Sequence, residues 1–268
     1  MPELPEVETI ARDLAPRLRG QRIRHVQHDR QPPVFDRHSL PPRRLVGRTI
    51  VDVGRAGKFV VLRLEGDLRL AVHLRMTGQL LFLAAKAPLR YSRAVLDLES
   101  GAALVFADTR KFGRMRIFTG DPAASLTIGI DPFDRRLDAA HLTALTRGRK
   151  TPVKVWLLDQ KRLGGVGNIY ASEALYDAGI RPKRAVGRLS GAERSRLLVS
   201  LRRILRKAIR HRGSSVDDYV DAAGLQGSFQ NKLAVYGRAG MKCRRCSTPI
   251  RRIVLAQRGT FYCPSCQR

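Results

Sequence analysis

The spacing of apolar positions divides the chain into a helical opening, a long strand-rich stretch and a helical second half. Downstream of Pro5, the residues Val7, Ile10, Ala11, Leu14 and Leu18 fall on one face at helical spacing, predicting an amphipathic helix over 6–18. Pro5 suits its first turn and Gly20 its stop. Short apolar runs separated by turn residues follow at 22–28, 49–53, 58–64, 68–73, 79–83, 93–98, 103–107 and 115–118. Many short strands at such close intervals predict a sandwich or barrel. Residues 129–134, Gly-Ile-Asp-Pro-Phe-Asp, read as a linker. Helices are then expected over 153–163, 169–178 and 190–211. Ser190 and Glu193 form a capping-box pattern at the start of the last one. Leu197, Leu198, Leu201, Leu205 and Ile209 make its buried stripe, and Arg194, Arg202, Arg203, Arg206 and Arg210 are expected on its solvated face.

Composition narrows the class. At 268 residues and 43% hydrophobic content the chain has room for two domains with cores of their own. It contains no apolar run of about 18 residues, so no membrane span is expected. The opening Met1-Pro-Glu-Leu-Pro-Glu-Val-Glu-Thr9 is acidic and lacks the apolar stretch of a secretion signal, which points to the cytoplasm. Lys+Arg 51 against Asp+Glu 23 give a net charge of +28. The surplus is uneven: 24 − 16 = +8 over residues 1–140 and 27 − 7 = +20 over 141–268, with no acid after Asp221. Such a surplus seeks a polyanion, most often nucleic acid, with an anionic membrane surface or codon bias as the other sources.

Three clusters carry candidate chemistry. Cys243, Cys246, Cys263 and Cys266 form C-x2-C, 16 residues, C-x2-C, the spacing of a tetrahedral Zn2+ site, with two disulfides as the alternative. Residues 249–256 and 260–263 flank Gln257-Arg-Gly259 and predict a β-hairpin with Arg258 at its tip. Arg258 is either solvated charge or a phosphate contact. Gly164-Gly-Val-Gly-Asn168 precedes a helix start, where exposed backbone N–H groups suit a phosphate and where Asn168 can equally cap the helix. At the N-terminus, Glu3, Glu6 and Glu8 can simply satisfy the helix dipole. Met1-Pro2, however, is a context in which Met1 is trimmed. The freed proline amine, with a reference pKa of about 7.7–8.0, can attack an electrophilic carbon to form an iminium. Glu3 stands beside it as a proton shuttle.

Three motifs, Pro2-Glu-Leu-Pro-Glu-Val-Glu-Thr9, Gly164-Gly-Val-Gly-Asn-Ile-Tyr-Ala-Ser-Glu173 and Gln257-Arg-Gly-Thr-Phe-Tyr-Cys-Pro-Ser-Cys266, resemble those of bacterial formamidopyrimidine-DNA glycosylase, in the same order and across nearly the whole chain. The resemblance implies an α+β fold in two domains. An N-terminal β-sandwich with its helix (1–130) would be followed by a helix–two-turns–helix domain (131–234) and a zinc β-hairpin (235–268) holding one structural zinc. It implies a bifunctional enzyme that acts on 8-oxoguanine and ring-opened purines in damaged double-stranded DNA and then cuts the strand by β- and δ-elimination; nothing in the sequence reads as an oligomer interface, so a monomer is the default. Pro2 would attack C1′ of a flipped nucleotide, Glu3 would move protons and Glu6 would hold the catalytic turn. Lys58 would lie at the phosphates near the lesion. Met76, Arg110 and Phe112 would fill the space the base leaves, although ordinary core packing also explains the Met and the Phe. Lys154, Asn168 and Arg258 would clamp phosphates, and segment 217–230 would cover the flipped purine. Arg75, Thr109 and Lys111 depart from the family's usual residues. The alternatives are an endonuclease VIII-type enzyme for oxidised pyrimidines, against which Leu4 and Val7-Glu-Thr9 argue, and a non-catalytic zinc-ribbon DNA binder.

Overall fold

Helix α1 spans Leu4–Leu18, two residues earlier than its apolar spacing predicts. Glu3 is its N-cap in a capping box with Glu6, and the early proline needs no amide partner. These features come from a computed structural model that describes residues 1–85, 87, 89–216 and 218–268. Packing divides the chain into one unit of Met1–Thr127 and Ile209–Gln230 and another of Ile128–Ala208 and Asn231–Arg268. Residues 209–230 return to the first unit. Residues 129–134 are no free linker, because Gly129 and Ile130 donate to the carbonyls of Gln160 and Arg162 inside the second unit.

The first unit is a β-sandwich. Strands β1 (Ile23–His28), β2 (Ile50–Ala56), β3 (Phe59–Leu64), β4 (Leu68–His73), β5 (Gly78–Leu83), β6 (Ser92–Leu98), β7 (Ala103–Asp108) and β8 (Arg114–Thr119) all lie where the alternation predicts strands. They form two antiparallel sheets ordered β1-β6-β7-β5 and β2-β3-β4-β8. Leu96, Leu104 and Phe106 of one sheet share a core with Val60, Leu62, Leu70 and Ile117 of the other and with Val7, Ile10 and Leu14 of α1. Each such buried side chain contributes roughly 1.5–3 kcal/mol. A one-turn helix α2 (Pro122–Ser125) closes the unit.

In the second unit, α3 is Ala139–Thr146, α4 is Val153–Leu157, α5 is Asn168–Asp177 and α6 is Gly191–Arg210. Helix α4 stops six residues short of the expected 163. The Asp159 carboxylate accepts from Lys161 N, its carbonyl accepts from Arg162 and Leu163, and the chain turns there instead of continuing. A turn-rich connection joins α5 to α6, and the Ser190–Glu193 capping box of α6 forms as expected. Two arginines of α6 leave the expected solvated face. Arg194 is buried with its Nη2 on the Gly187 carbonyl, and Arg202 donates to the carbonyls of Pro132, Asp134 and Leu137. Strands β9 (Arg251–Leu255) and β10 (Arg258–Tyr262) form the hairpin. Its tip is Ala256-Gln257, both at positive φ as a type I′ turn demands, so Arg258 opens β10 rather than sitting at the tip. Among the described residues, no helix is long and apolar enough to cross a membrane.

Candidate active site

The N-terminal turn is held by a buried carboxylate. Glu6 is 2% exposed, and its two oxygens accept from Glu3 N at 2.8 Å and from Ser214 N at 2.8 Å. Gly213 makes this approach possible: it sits at φ 81, and a Cβ there would lie 2.8 Å from Glu6 Oε1. Tyr219 donates to the Glu6 carbonyl, and burial together with the Glu6 charge pushes its phenol pKa up. Arg212 pairs with Asp13 of α1 and with the buried Asp221, anchoring the returning segment. Pro2 and Glu3 are both buried on the turn so fixed. In the full chain the Pro2 nitrogen is acylated by Met1, and removing Met1 leaves a secondary amine next to the Glu3 carboxylate.

The turn between β2 and β3 carries Lys58, which is 6% exposed. Arg55 ties that turn to α1, donating to Glu8 at 3.1 Å and to the Gly57 carbonyl at 3.1 Å. Phe59 pairs with His73 across β3 and β4, their rings edge to face. Burial, then the charges of Arg75 and Lys58, lowers the His73 pKa to about 3. Its Nδ1 accepts from Arg75 N at 3.1 Å, which leaves Nε2–H as the ring's donor.

Met76, Arg110 and Phe112 come together on two loops, after β4 and after β7. Met76 is 42% and Phe112 50% exposed, so neither is a core residue. The Arg110 guanidinium lies 4.9 Å from the Phe112 ring centroid, with Nη1 3.8 Å from Met76 Sδ. Asp108 locks the two loops together: one oxygen accepts from the Thr77 hydroxyl and Arg110 N, the other from Gly113 N at 2.7 Å. A Cβ on Gly113 would come within 2.3 Å of the Phe106 ring, so this close turn requires glycine.

The second unit groups Lys154, Asn168 and Arg258 differently from a set of solvent-facing clamps. Lys154 is fully buried at 0% exposure, and its amine donates to Gly259 O at 3.0 Å and Thr260 Oγ1 at 2.7 Å. Asn168 Nδ2 donates to the same Gly259 carbonyl at 3.1 Å. Both therefore grip the hairpin strand one residue beyond the exposed Arg258. Gly167, not Asn168, is the N-cap of α5, and residues 163–167 are buried rather than presented to solvent. The Gln160 amide holds this loop through Gly165 N and the Val166 carbonyl.

Cys243, Cys246, Cys263 and Cys266 converge, their sulfurs all within 4.8 Å of one another. Sγ–Sγ separations of 3.9, 3.5 and 3.4 Å bracket the edge of about 3.8 Å that a zinc tetrahedron with bonds of about 2.3 Å requires. They are far too long for disulfides, and none of the four cysteines is in one. The four residues hold one structural zinc. Tyr176 OH lies 3.3 Å from Cys243 Sγ, and Glu173 accepts from the backbone N–H groups of Ala234, Val235 and Tyr236, fixing the entry to the ribbon.

Segment 217–230 begins on Asp217, which lies outside the described residues. Beyond it, Asp221 accepts from Ala223 N and Leu225 N, and Leu225 is 63% exposed at the segment's tip. Sequence reading assigned no role to His73, Asp108, Glu173 or the Arg212–Asp221 pair. For Asp108 the signal was present, an Asp followed by a polar loop and a glycine.

Models of known families match three stretches of the chain. The formamidopyrimidine-DNA glycosylase N-terminal domain matches residues 1–115, the formamidopyrimidine-DNA glycosylase H2TH domain 128–220, and the zinc finger found in FPG and IleRS 240–268. A formamidopyrimidine-DNA glycosylase of Moorella thermoacetica is 44% identical over 260 residues, 94% of either chain. The crystal structure of the MutM (Fpg) protein from Thermus thermophilus is similar at a TM-score of 0.88 and 39% identity, covering 99% of this chain and 98% of that one. A Lactococcus lactis Fpg mutant in complex with a Fapy-dG containing DNA is similar at a TM-score of 0.88 and 34% identity, with both chains covered completely.

Proposed function

The chain belongs to the formamidopyrimidine-DNA glycosylase family, and we propose that it excises 8-oxoguanine and formamidopyrimidine lesions from duplex DNA as a monomer, with Pro2 as nucleophile. The observation that carries the assignment of Pro2 is the Glu6 carboxylate, which fixes the Pro2–Glu3 turn between Glu3 N and Ser214 N. With Met1 removed, the proline lone pair attacks C1′ of the flipped nucleotide. The bond from C1′ to the base breaks, and the base leaves with a proton. Glu3 protonates O4′ as the sugar ring opens, giving an iminium between Pro2 and C1′. Loss of a C2′ proton then expels the 3′ phosphate, and a later proton loss from C4′ expels the 5′ phosphate. Water finally hydrolyses the iminium and frees the amine.

The target must leave the stack first, because C1′ is screened inside a duplex. Met76 and Phe112 are the apolar wedges that offset the unstacking cost of a few kcal/mol, and Arg110 faces the orphaned cytosine. Lys58 and the Nε2–H of His73 serve the phosphates beside the lesion, and Arg258 holds the duplex from the ribbon. Lys154 and Asn168 act on DNA through the hairpin strand they fix. The zinc supplies no chemistry beyond shaping that ribbon.

Borohydride reduction during reaction with an 8-oxoguanine·C duplex tests this reading. We expect a covalent protein–DNA adduct that disappears in Pro2→Gly and when Met1 is retained. An adduct mapping to a lysine would overturn the assignment of the nucleophile. Faster cleavage of a thymine glycol·A duplex would move the enzyme to the endonuclease VIII-type reading.

A further inference from the structure

Arg75 occupies backbone that an arginine does not favour. It sits at φ 58, in the left-handed region where a Cβ is strained and glycine is not. The turn is closed by its own N–H on His73 Nδ1 at 3.1 Å, and the next residue is the exposed Met76. The second wedge loop repeats the arrangement, with Lys111 at φ 58 directly before the exposed Phe112. A non-glycine residue persists in this conformation where its side chain has a use that outweighs the strain.

Among the described residues the charge of Arg75 is uncompensated. Arg55 pairs with Glu8, Arg69 with Asp67 and Arg116 with Asp36. Among the described residues no carboxylate pairs with Arg75, and its side chain is exposed. Its neighbourhood adds positive charge rather than removing it, since its field and that of Lys58 both reach the His73 ring. A planar guanidinium left open beside an apolar wedge matches the fork geometry of a phosphodiester.

We propose that Arg75 is a DNA-binding residue that grips a backbone phosphate next to the base step opened by Met76. The inference rests on the reading of Met76 as a wedge and adds to it a contact particular to this loop. Arg75 exchanges strain in the free protein for one more neutralised phosphate in the complex. The position therefore favours glycine for folding and arginine for binding.

The test uses the full chain and a duplex carrying a tetrahydrofuran abasic analogue opposite cytosine, titrated over a range of salt. Arg75→Gly should bind about 3–10-fold more weakly at low salt, and its plot of log affinity against log salt should be shallower by about 0.9. Arg75→Lys should keep the parent slope. The loss in Arg75→Gly should be the same whatever base pairs flank the analogue. An unchanged slope in Arg75→Gly overturns the proposal. So does a loss confined to one flanking base pair, which would make Arg75 a reader of base edges. The borohydride adduct of the parent chain separates the two levels. A parent that forms the adduct while Arg75→Gly keeps the parent slope sinks the phosphate contact alone, whereas a parent without adduct sinks the functional reading beneath it.

Discussion

A single histidine shows how local surroundings set chemistry in this protein. His73 is neutral near neutral pH because burial and two nearby cations oppose its protonation, holding its pKa at about 3. The unfolded chain takes up that proton at about pH 6.5, whereas the native state does not. Stability from this site is thus fully present above about pH 6.5 and is lost as pH falls toward the folded value, by about 1 kcal/mol per pH unit. Urea melts of His73→Gln should lack this contribution, with a flatter stability profile than the parent between about pH 6.5 and pH 4. Identical profiles would show that the ring is protonated in the folded state. The four cysteines were legible in the sequence because their identity and spacing are themselves the signal. His73 and Asp108 were not, because a lone His or Asp gains its meaning from partners on other strands. For Asp108 one of them is Thr77, 31 residues away.

At the scale of elements, the strands were legible from their alternation and α6 from its stripe and capping box, because those periods report directly on which face is buried. The end of α4 was not legible, since the Asp159 turn overrides a continuing apolar pattern. That Lys154 and Asn168 bond to the hairpin strand was likewise hidden, because charge in a sequence does not reveal whether an amine faces solvent or a carbonyl. Both side chains hold the Gly259 carbonyl, so the hairpin position of Arg258 depends on them. A double-mutant cycle tests this dependence. Lys154→Met and Arg258→Ala should each weaken duplex binding, and the double variant should lose clearly less than the product of the two factors. Independent, multiplying losses would mean that Lys154 meets DNA by itself.

At the scale of the molecule, the net charge of +28 favours binding to a polyanion such as DNA. The ribbon's own core is small, comprising Tyr176, Val235, Cys243, Ile250 and Cys263, and two of these five are metal ligands. Removing zinc with a strong chelator should unfold the ribbon and lower duplex affinity at least about tenfold, while the circular dichroism of the sandwich persists. Full affinity in a chain shown by metal analysis to be zinc-free would exclude the ribbon from DNA binding. The bond between the Glu6 carboxylate and Ser214 N has another consequence, for synthesis on the ribosome. Its two partners are 208 positions apart, so at translation rates of about 5–20 residues per second the turn at the amino end stays unfastened for roughly 10–40 s after it emerges. Throughout that interval the amino-terminal turn lacks the contact that fixes it, and it is fastened only once most of the chain has been made.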